Sequence, residues 1–476
     1  MRKISLTIFV FSCFLVSCSN FQKSKTSDTA LISGKILNPT SEKLRIQDDS
    51  YFISTHTIDT IINIDSSGSF KLNFKLHEAG FYKINFENNN ASFFLMPGDS
   101  IFILFNITNA TKPFNVKGSN ADKDEYITKY FDLCSTFDFS YEKYFTKSPE
   151  QFVKSIDSLY TIINNHLKDF QKNRNLNQQD LFLMMMKSHL SFEKSKLKAM
   201  YPIWYQSYLG KYPELDKDYI NNILDKKEIN DNSNLKYQQF NEFLNFLIGY
   251  STEKELKQNK KYDTLEVPYP VARYKVINEL LTNDLIKTEQ MFSFLNTQIR
   301  EYGVAGLSDM LNEFNRICKD TCKKNKIQQS YLKMEKIKKG EKAPIFSCLN
   351  LDRNTVSLAD FKGKYVYIDI WATWCGACRK EIQILEELKV KYSKKDIVFV
   401  SISIDNDFEK WKQFVKQNHM TGIQLISDEK NPVQNTYMTN GAPYFILIDK
   451  EQKIINSRAP RPSMNIENLL NDCLKL

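Results

Sequence analysis

Two cysteines separated by two residues, Cys375-Gly376-Ala377-Cys378, are the strongest chemical signal in the chain. Thiols at this spacing close a reversible disulfide or supply half of a zinc site. In the first turn of a helix, residues i and i+3 face each other at about 5–6 Å, inside the Cα range a disulfide permits. The first cysteine of such a pair sits at the helix start, where free N–H groups and the helix dipole favour negative charge. Cys375 is therefore expected to titrate below the free thiol value of about 8.5 and to act as a nucleophile. Cys378, one turn further in, is expected to attack the resulting mixed disulfide. A zinc site needs a second ligand pair. The chain has 5 histidines, none at ligand spacing from another Cys or His, and the other close cysteine pair is Cys318 and Cys322. No metal and no other cofactor is expected. Asp369, six residues before Cys375, lies in the apolar run Val366–Ile370. A carboxylate there is costly to bury; the alternative is an exposed place on an edge strand. Glu381 follows the pair, where a first-turn acid is favoured by the dipole.

These residues need a strand, a turn and a helix to hold them. Val366–Ile370 reads as an apolar strand, and 375–392 as a helix with Ile382, Leu385, Leu388 and Tyr392 on one face. Strands at 397–404 and 423–426 alternate with a helix at 408–418. A hairpin at 444–448 and 453–456 and a last helix at 466–475 follow. This order predicts a mixed sheet with helices on both faces.

The run Trp371-Ala372-Thr373-Trp374-Cys375-Gly376-Ala377-Cys378 resembles the active-site segment of thioredoxin folds, in particular the TlpA-like envelope branch. The resemblance extends over about 340–476: the Gly340-Glu341-Lys342-Ala343-Pro344 lead-in, the Leu358–Lys364 approach, the inserted segment around 408–427, and Gly441-Ala442-Pro443. It implies a thiol–disulfide oxidoreductase whose partners are proteins carrying disulfides, most often a reductant recharged by a membrane thiol donor. It implies proton transfer to and from Cys378 by Asp369, tuning of the thiols by Glu381, and substrate contact at Trp374, Ala442 and a cis Pro443. The family usually has a larger, β-branched residue before this proline, where Ala442 stands here. Three other functions are weaker. The direction of exchange is open, so oxidase or isomerase activity is an alternative. A peroxidase of the same fold would need Pro-x-x-x-Thr-x-x-Cys; Thr373 is one residue too close and Ile368 replaces the proline. A ligand-binding lipoprotein with an accessory redox domain would leave the intact cysteine pair idle.

Upstream, residues 31–118 read as short strands in an antiparallel β-sandwich, with strict alternation at Ser69–Leu76 and turn signals at Ser66-Ser67-Gly68 and Pro97-Gly98-Asp99. Met96–Ile101 resembles part of the N-terminal β-domain of envelope thiol–disulfide lipoproteins. Residues 120–335 read as helices, among them 125–133, 149–172, 179–201, 237–249 and 271–302, with a surface loop at 253–261 before Pro268 and Pro270. The C-terminal α/β fold is taken as 336–476, with 323–340 as a basic helix end and linker.

Arg2 and Lys3 precede the apolar run Ile4–Val16, which is shorter than the roughly 20 residues that span a bilayer and suits an export signal. Leu15-Val16-Ser17-Cys18 resembles the lipobox of bacterial lipoproteins, implying cleavage after residue 17 and a lipid on Cys18; a plain signal peptide is the alternative. A polar tether at 18–30 would follow. The expected place is the cell envelope, lipid-anchored, and by the lipoprotein sorting pattern the outer membrane facing the periplasm. Formal net charge is +9, from 65 basic and 56 acidic groups scattered along the chain, which is no nucleic-acid footprint. Of 9 cysteines, Cys13 and Cys18 would be consumed, and the odd remainder cannot all pair. Cys318 and Cys322 read as i, i+4 on one helix, either a second redox pair relaying to Cys375, buried helix cysteines or a structural link elsewhere. Cys348 and Cys473 either pair or fill the core.

Overall fold

The computed structural model describes residues 28–52, 58–87, 89–106, 114–136, 141–216, 219, 222–223, 225–427, 433–437, 439 and 441–475. The export signal, the Cys18 lipobox and most of the tether lie outside these residues. The tether ends sooner than expected, because β1 begins at Thr29. The chain divides into two compact units, Met1–Gln290 and Met291–Leu476.

The first unit opens with β1 (Thr29–Leu37), β2 (Lys43–Asp48), β3 (Asp59–Asn63), β4 (Ser69–Lys75), β5 (Gly80–Phe86), β6 (Asn89–Leu95), β7 (Ser100–Asn106) and β8 (Phe114–Gly118). They form two four-stranded sheets, ordered β4-β1-β7-β8 and β3-β2-β5-β6. Alternation along each strand sends Ile32, Ile36, Leu44, Ile46, Ile84, Ile101 and Ile103 into one apolar cluster. One pairing departs from the all-antiparallel expectation: β1 and β7 run parallel. A parallel pair needs a long crossover, and here β2 to β6 provide it. Gly34 permits the close approach, since a Cβ there would lie 2.3 Å from the Ile103 carbonyl oxygen.

Helices follow: α1 (Ala121–Thr136), α2 (Tyr141–Phe145), α3 (Pro149–Asn173), α4 (Leu181–Leu209), α5 (Lys226–Ile229), α6 (Gln238–Gln258), α7 (Pro268–Leu280) and α8 (Asp284–Tyr302). In α3, Ser148 caps the start and Pro149 stands in the first turn, while Phe152, Ile156, Leu159, Ile163 and Leu167 bury one face. Two expectations need correction. The 253–261 loop is helical to Gln258, and Pro268 begins α7, where its missing N–H costs nothing. The single helix expected at 271–302 is two, because the Asn283 side chain accepts from the Leu285 and Ile286 N–H groups and starts α8 anew.

The second unit takes the end of α8, then α9 (Ser308–Ile317) and α10 (Thr321–Glu335), which bury Met310, Leu311, Phe314, Ile327 and Met334. The unit boundary therefore falls inside the helical stretch 120–335. The α/β portion adds β9 (Ser347–Asn350), β10 (Thr355–Ser357), β11 (Tyr365–Trp371), α11 (Gly376–Lys391), β12 (Ile397–Ser403), α12 (Phe408–Gln417), β13 (Ile423–Ser427), α13 (Val433–Thr436), β14 (Tyr444–Ile448), β15 (Ile454–Asn456) and α14 (Ile466–Leu474). Its sheet is ordered β10-β9-β13-β12-β11-β14-β15. β11 and β13 run parallel to β12, and β14 is antiparallel to β11. This is a thioredoxin-like fold. β11 lies inside the sheet, between β12 and β14, and both faces of the strand are buried: Val366, Ile368 and Ile370 on one, Tyr367, Asp369 and Trp371 on the other. Among the described residues no helix is long and apolar enough to cross a membrane.

Candidate active site

The site forms where β11 ends and α11 begins. Cys375 is the N-cap of α11, and Cys378 stands one turn in. Their sulfurs are bonded, with the Cα atoms 5.3 Å apart, so the zinc alternative gives way to a cystine. Cys375 Sγ accepts from the Cys378 N–H at 3.1 Å, the contact that would stabilise a thiolate at a helix start. It also lies 3.4 Å from the Ala442 carbonyl oxygen. The Ala442–Pro443 peptide is cis. Trp374, Gly376 and Ala377 are exposed around the pair, Trp374 at 63%. Cys375 is 6% exposed and Cys378 only 1%. One sulfur therefore stands at the rim and the other beneath it.

Asp369 is 4% exposed and belongs to an interior strand, not to an edge. It points to the same side as Tyr367 and Trp371, which share apolar clusters with α11 and its cap: Leu385 and Leu388 in that of Tyr367, Cys375, Cys378 and Ile382 in that of Trp371. The carboxyl thus lies under α11. Burial raises its pKa from 3.8 to about 7, against the opposing pull of the Lys389 ammonium and with a further push from the Glu381 charge. A carboxyl at that value can take and return a proton near neutral pH. Lys389 is held in place by Glu386 Oε1 at 2.7 Å and by the Thr421 carbonyl at 2.8 Å.

Glu381 is not a first-turn acid. α11 starts at Gly376, which places Glu381 in the second turn, buried. Its carboxylate accepts from the Ser463 N–H at 3.0 Å and the Ser463 hydroxyl at 2.7 Å. Cys318 and Cys322 also differ from expectation. Cys318 is the C-cap of α9 and Asp320 caps α10 between the two, so they do not share a helix; Cys318 is buried and Cys322 exposed. Neither is in a disulfide, and neither are Cys348 and Cys473, which remain thiols. Cys18 lies outside the described residues. Among those residues no three His, Cys, Asp or Glu side chains gather as a metal-holding group.

A family model described as Redoxin matches residues 338–470. The thiol–disulfide oxidoreductase ResA of Bacillus thuringiensis subsp. konkukian is 34% identical over 128 residues, 27% of this chain and 73% of the relative. The chain belongs to the TlpA-like thiol–disulfide oxidoreductases of the thioredoxin superfamily. ResA of Bacillus cereus (strain ATCC 10987 / NRS 248) is likewise 34% identical, over 27% of this chain and 73% of that one. The thioredoxin domain of a thiol–disulfide oxidoreductase from Bacteroides vulgatus is 30% identical, with a TM-score of 0.27, covering 29% of this chain and 98% of that structure. The oxidoreductase assignment thus concerns the C-terminal part of the TlpA-like chain.

Sequence reading missed Asp405. It lies two residues beyond β12, buried, and holds the loop that leads into Cys375. The signal available was an acid directly after an apolar strand, Ser401-Ile402-Ser403-Ile404-Asp405.

Proposed function

We propose that this chain is a protein-disulfide reductase of the bacterial cell envelope. The observation that carries the reading is the layered site: an exchange sulfur at the rim, a resolving sulfur beneath it, and a carboxyl with a pKa of about 7 under the helix that bears both. In the reduced form, the Cys375 thiolate attacks one sulfur of a target disulfide. A bond forms between Cys375 and the target, and the other target sulfur leaves as a thiolate that takes a proton from water. Cys378 gives its proton to the Asp369 carboxylate and attacks Cys375 Sγ. The cystine closes, and the second target sulfur leaves as a thiolate that takes the proton back from Asp369. The target gains two electrons and two protons, and the enzyme returns to the oxidised form described above. A membrane thiol donor would reduce it again.

Trp374, Ala442 and Pro443 are the substrate-facing positions in this reading, supported by the exposed indole and by the Ala442 carbonyl beside Cys375. The envelope location, lipid anchor on Cys18 and outer-membrane placement are supported by the N-terminal sequence pattern. We read the two N-terminal sheets as a sandwich on the strength of their common apolar cluster, and the chain as three parts at 31–118, 120–335 and 336–476.

The test is the reduction potential of the Cys375–Cys378 pair, measured by equilibration in dithiothreitol or glutathione buffers and trapping of free thiols. A value near the roughly −270 mV of thioredoxin is expected. A value near the roughly −120 mV of a strong oxidant would overturn the reductase direction in favour of disulfide formation.

A further inference from the structure

We propose that Asp405 is a positioning residue for disulfide exchange: through Thr373 it holds the turn that presents Trp374 and Cys375 to the target. The turn 372–375 joins β11 to α11 and is short and irregular. Its own backbone supplies a Cys375 N–H to Ala372 carbonyl bond at 3.1 Å. The remaining anchors come from the end of β12. The Ile404 N–H donates to the Trp371 carbonyl at 2.8 Å. Asp405 Oδ2 accepts from the Thr373 N–H at 2.9 Å, and Oδ1 accepts from the Thr373 hydroxyl at 2.7 Å. The Ser403 hydroxyl donates to Oδ2 at 2.6 Å and accepts from the Asp405 N–H at 3.0 Å.

All three side chains are buried, so water does not compete for these bonds. A carboxylate acceptor is about twice as strong a partner as a neutral one. The clamp grips Thr373 by backbone and side chain together, which fixes both position and rotation. Trp374 and Cys375 are the next two residues. Asp405 has no bond to either sulfur: Cys375 Sγ meets the Cys378 N–H and the Ala442 carbonyl. It therefore acts through Thr373. The same clamp keeps Cys375 near Cys378, so it also favours closure of the cystine. The inference rests on the exchange chemistry of this site and not on its physiological direction.

The experiment uses the full chain with D405A, T373V and T373S. Each is measured for exchange with a small aromatic disulfide, for reduction potential and for thermal midpoint. Exchange by D405A is expected to slow by about 10- to 100-fold, the scale of a misplacement near 1 Å. The equilibrium constant for closing the cystine is expected to fall about tenfold, which moves the potential up by about 30 mV. T373V, which keeps Asp405, should move both readouts in the same direction, and T373S, which keeps the hydroxyl, should restore them. If D405A does not fold, the threonine pair carries the test. A lowered thermal midpoint with exchange and potential unchanged per folded molecule would overturn the proposal. Absence of exchange in the parent chain would instead overturn the function of the site itself.

Discussion

Cys378→Ser, reduced and mixed with a disulfide-bearing protein, is expected to stop at a covalent adduct joined through Cys375. Cys375→Ser is expected to form no adduct at the 375–378 site, and neither variant should turn over. The asymmetry follows from burial. Cys375 caps α11 between exposed residues and receives the Cys378 N–H, so it meets a protein target and its thiolate is stabilised there. Cys378 is 1% exposed, so the sulfur within its reach is that of Cys375. Replacing the resolving thiol leaves the first exchange intact and removes the second. Non-reducing electrophoresis and intact mass spectrometry read the outcome. Adducts on Cys378 in the Cys375→Ser chain would reverse the two roles, and full turnover by Cys378→Ser would remove the resolving step altogether.

Asp369→Asn is expected to change both catalysis and stability, with opposite signs. In the parent chain the resolving step should speed up as pH rises through about 7, the value to which burial lifts this carboxyl, because the ionised form is the one that accepts the Cys378 proton. The variant lacks that acceptor. Above neutrality its resolving step should slow by about 10²-fold or more, the contribution typical of a positioned base, and the step in the pH profile should vanish. Stopped-flow decay of the mixed disulfide at several pH values measures this. A variant that keeps the same step would assign the titration to another group. For stability the sign runs the other way. The folded state binds this proton up to about 7, whereas the unfolded carboxyl loses it near 3.8. The group therefore contributes fully below about 4, and its contribution is lost as pH rises to about 7. At pH 8 the variant should be more stable than the parent, by roughly 4 kcal/mol at most, counting about 1.4 kcal/mol per unit of displacement. Denaturant unfolding of the oxidised forms at pH 5 and pH 8 separates the two states.

The neighbours of Asp369 make this value adjustable. Glu381 pushes it up and Lys389 pulls it down. Ser463 grips the first and Glu386 with the Thr421 carbonyl grips the second. The proton affinity of the site is thus set partly by residues far from it in the chain, on α11 and in the turn before α14.

What the sequence determined by itself was local. The i, i+3 cysteine pair, the apolar run around Asp369 and the alternation of β4 are written in neighbouring residues, because hydrogen bonding and side-chain facing repeat over two to four positions. The strand-to-helix junction and most of the α/β order were legible for that reason. Where local signals compete, the reading went astray. Asn283 splits one amphipathic run into α7 and α8, and Pro268 starts a helix where proline after a lysine-rich stretch predicts a loop. The tertiary structure decided the rest. The parallel β1–β7 pairing joins strands with five others between them. The Ala442 carbonyl meets Cys375 across 67 residues, Ser463 holds Glu381 across 82, and Asp405 holds Thr373 across 32. Contacts at such separations leave no periodic trace in the chain. They exist because folding brings a buried carboxylate and its donors together where water cannot replace either partner.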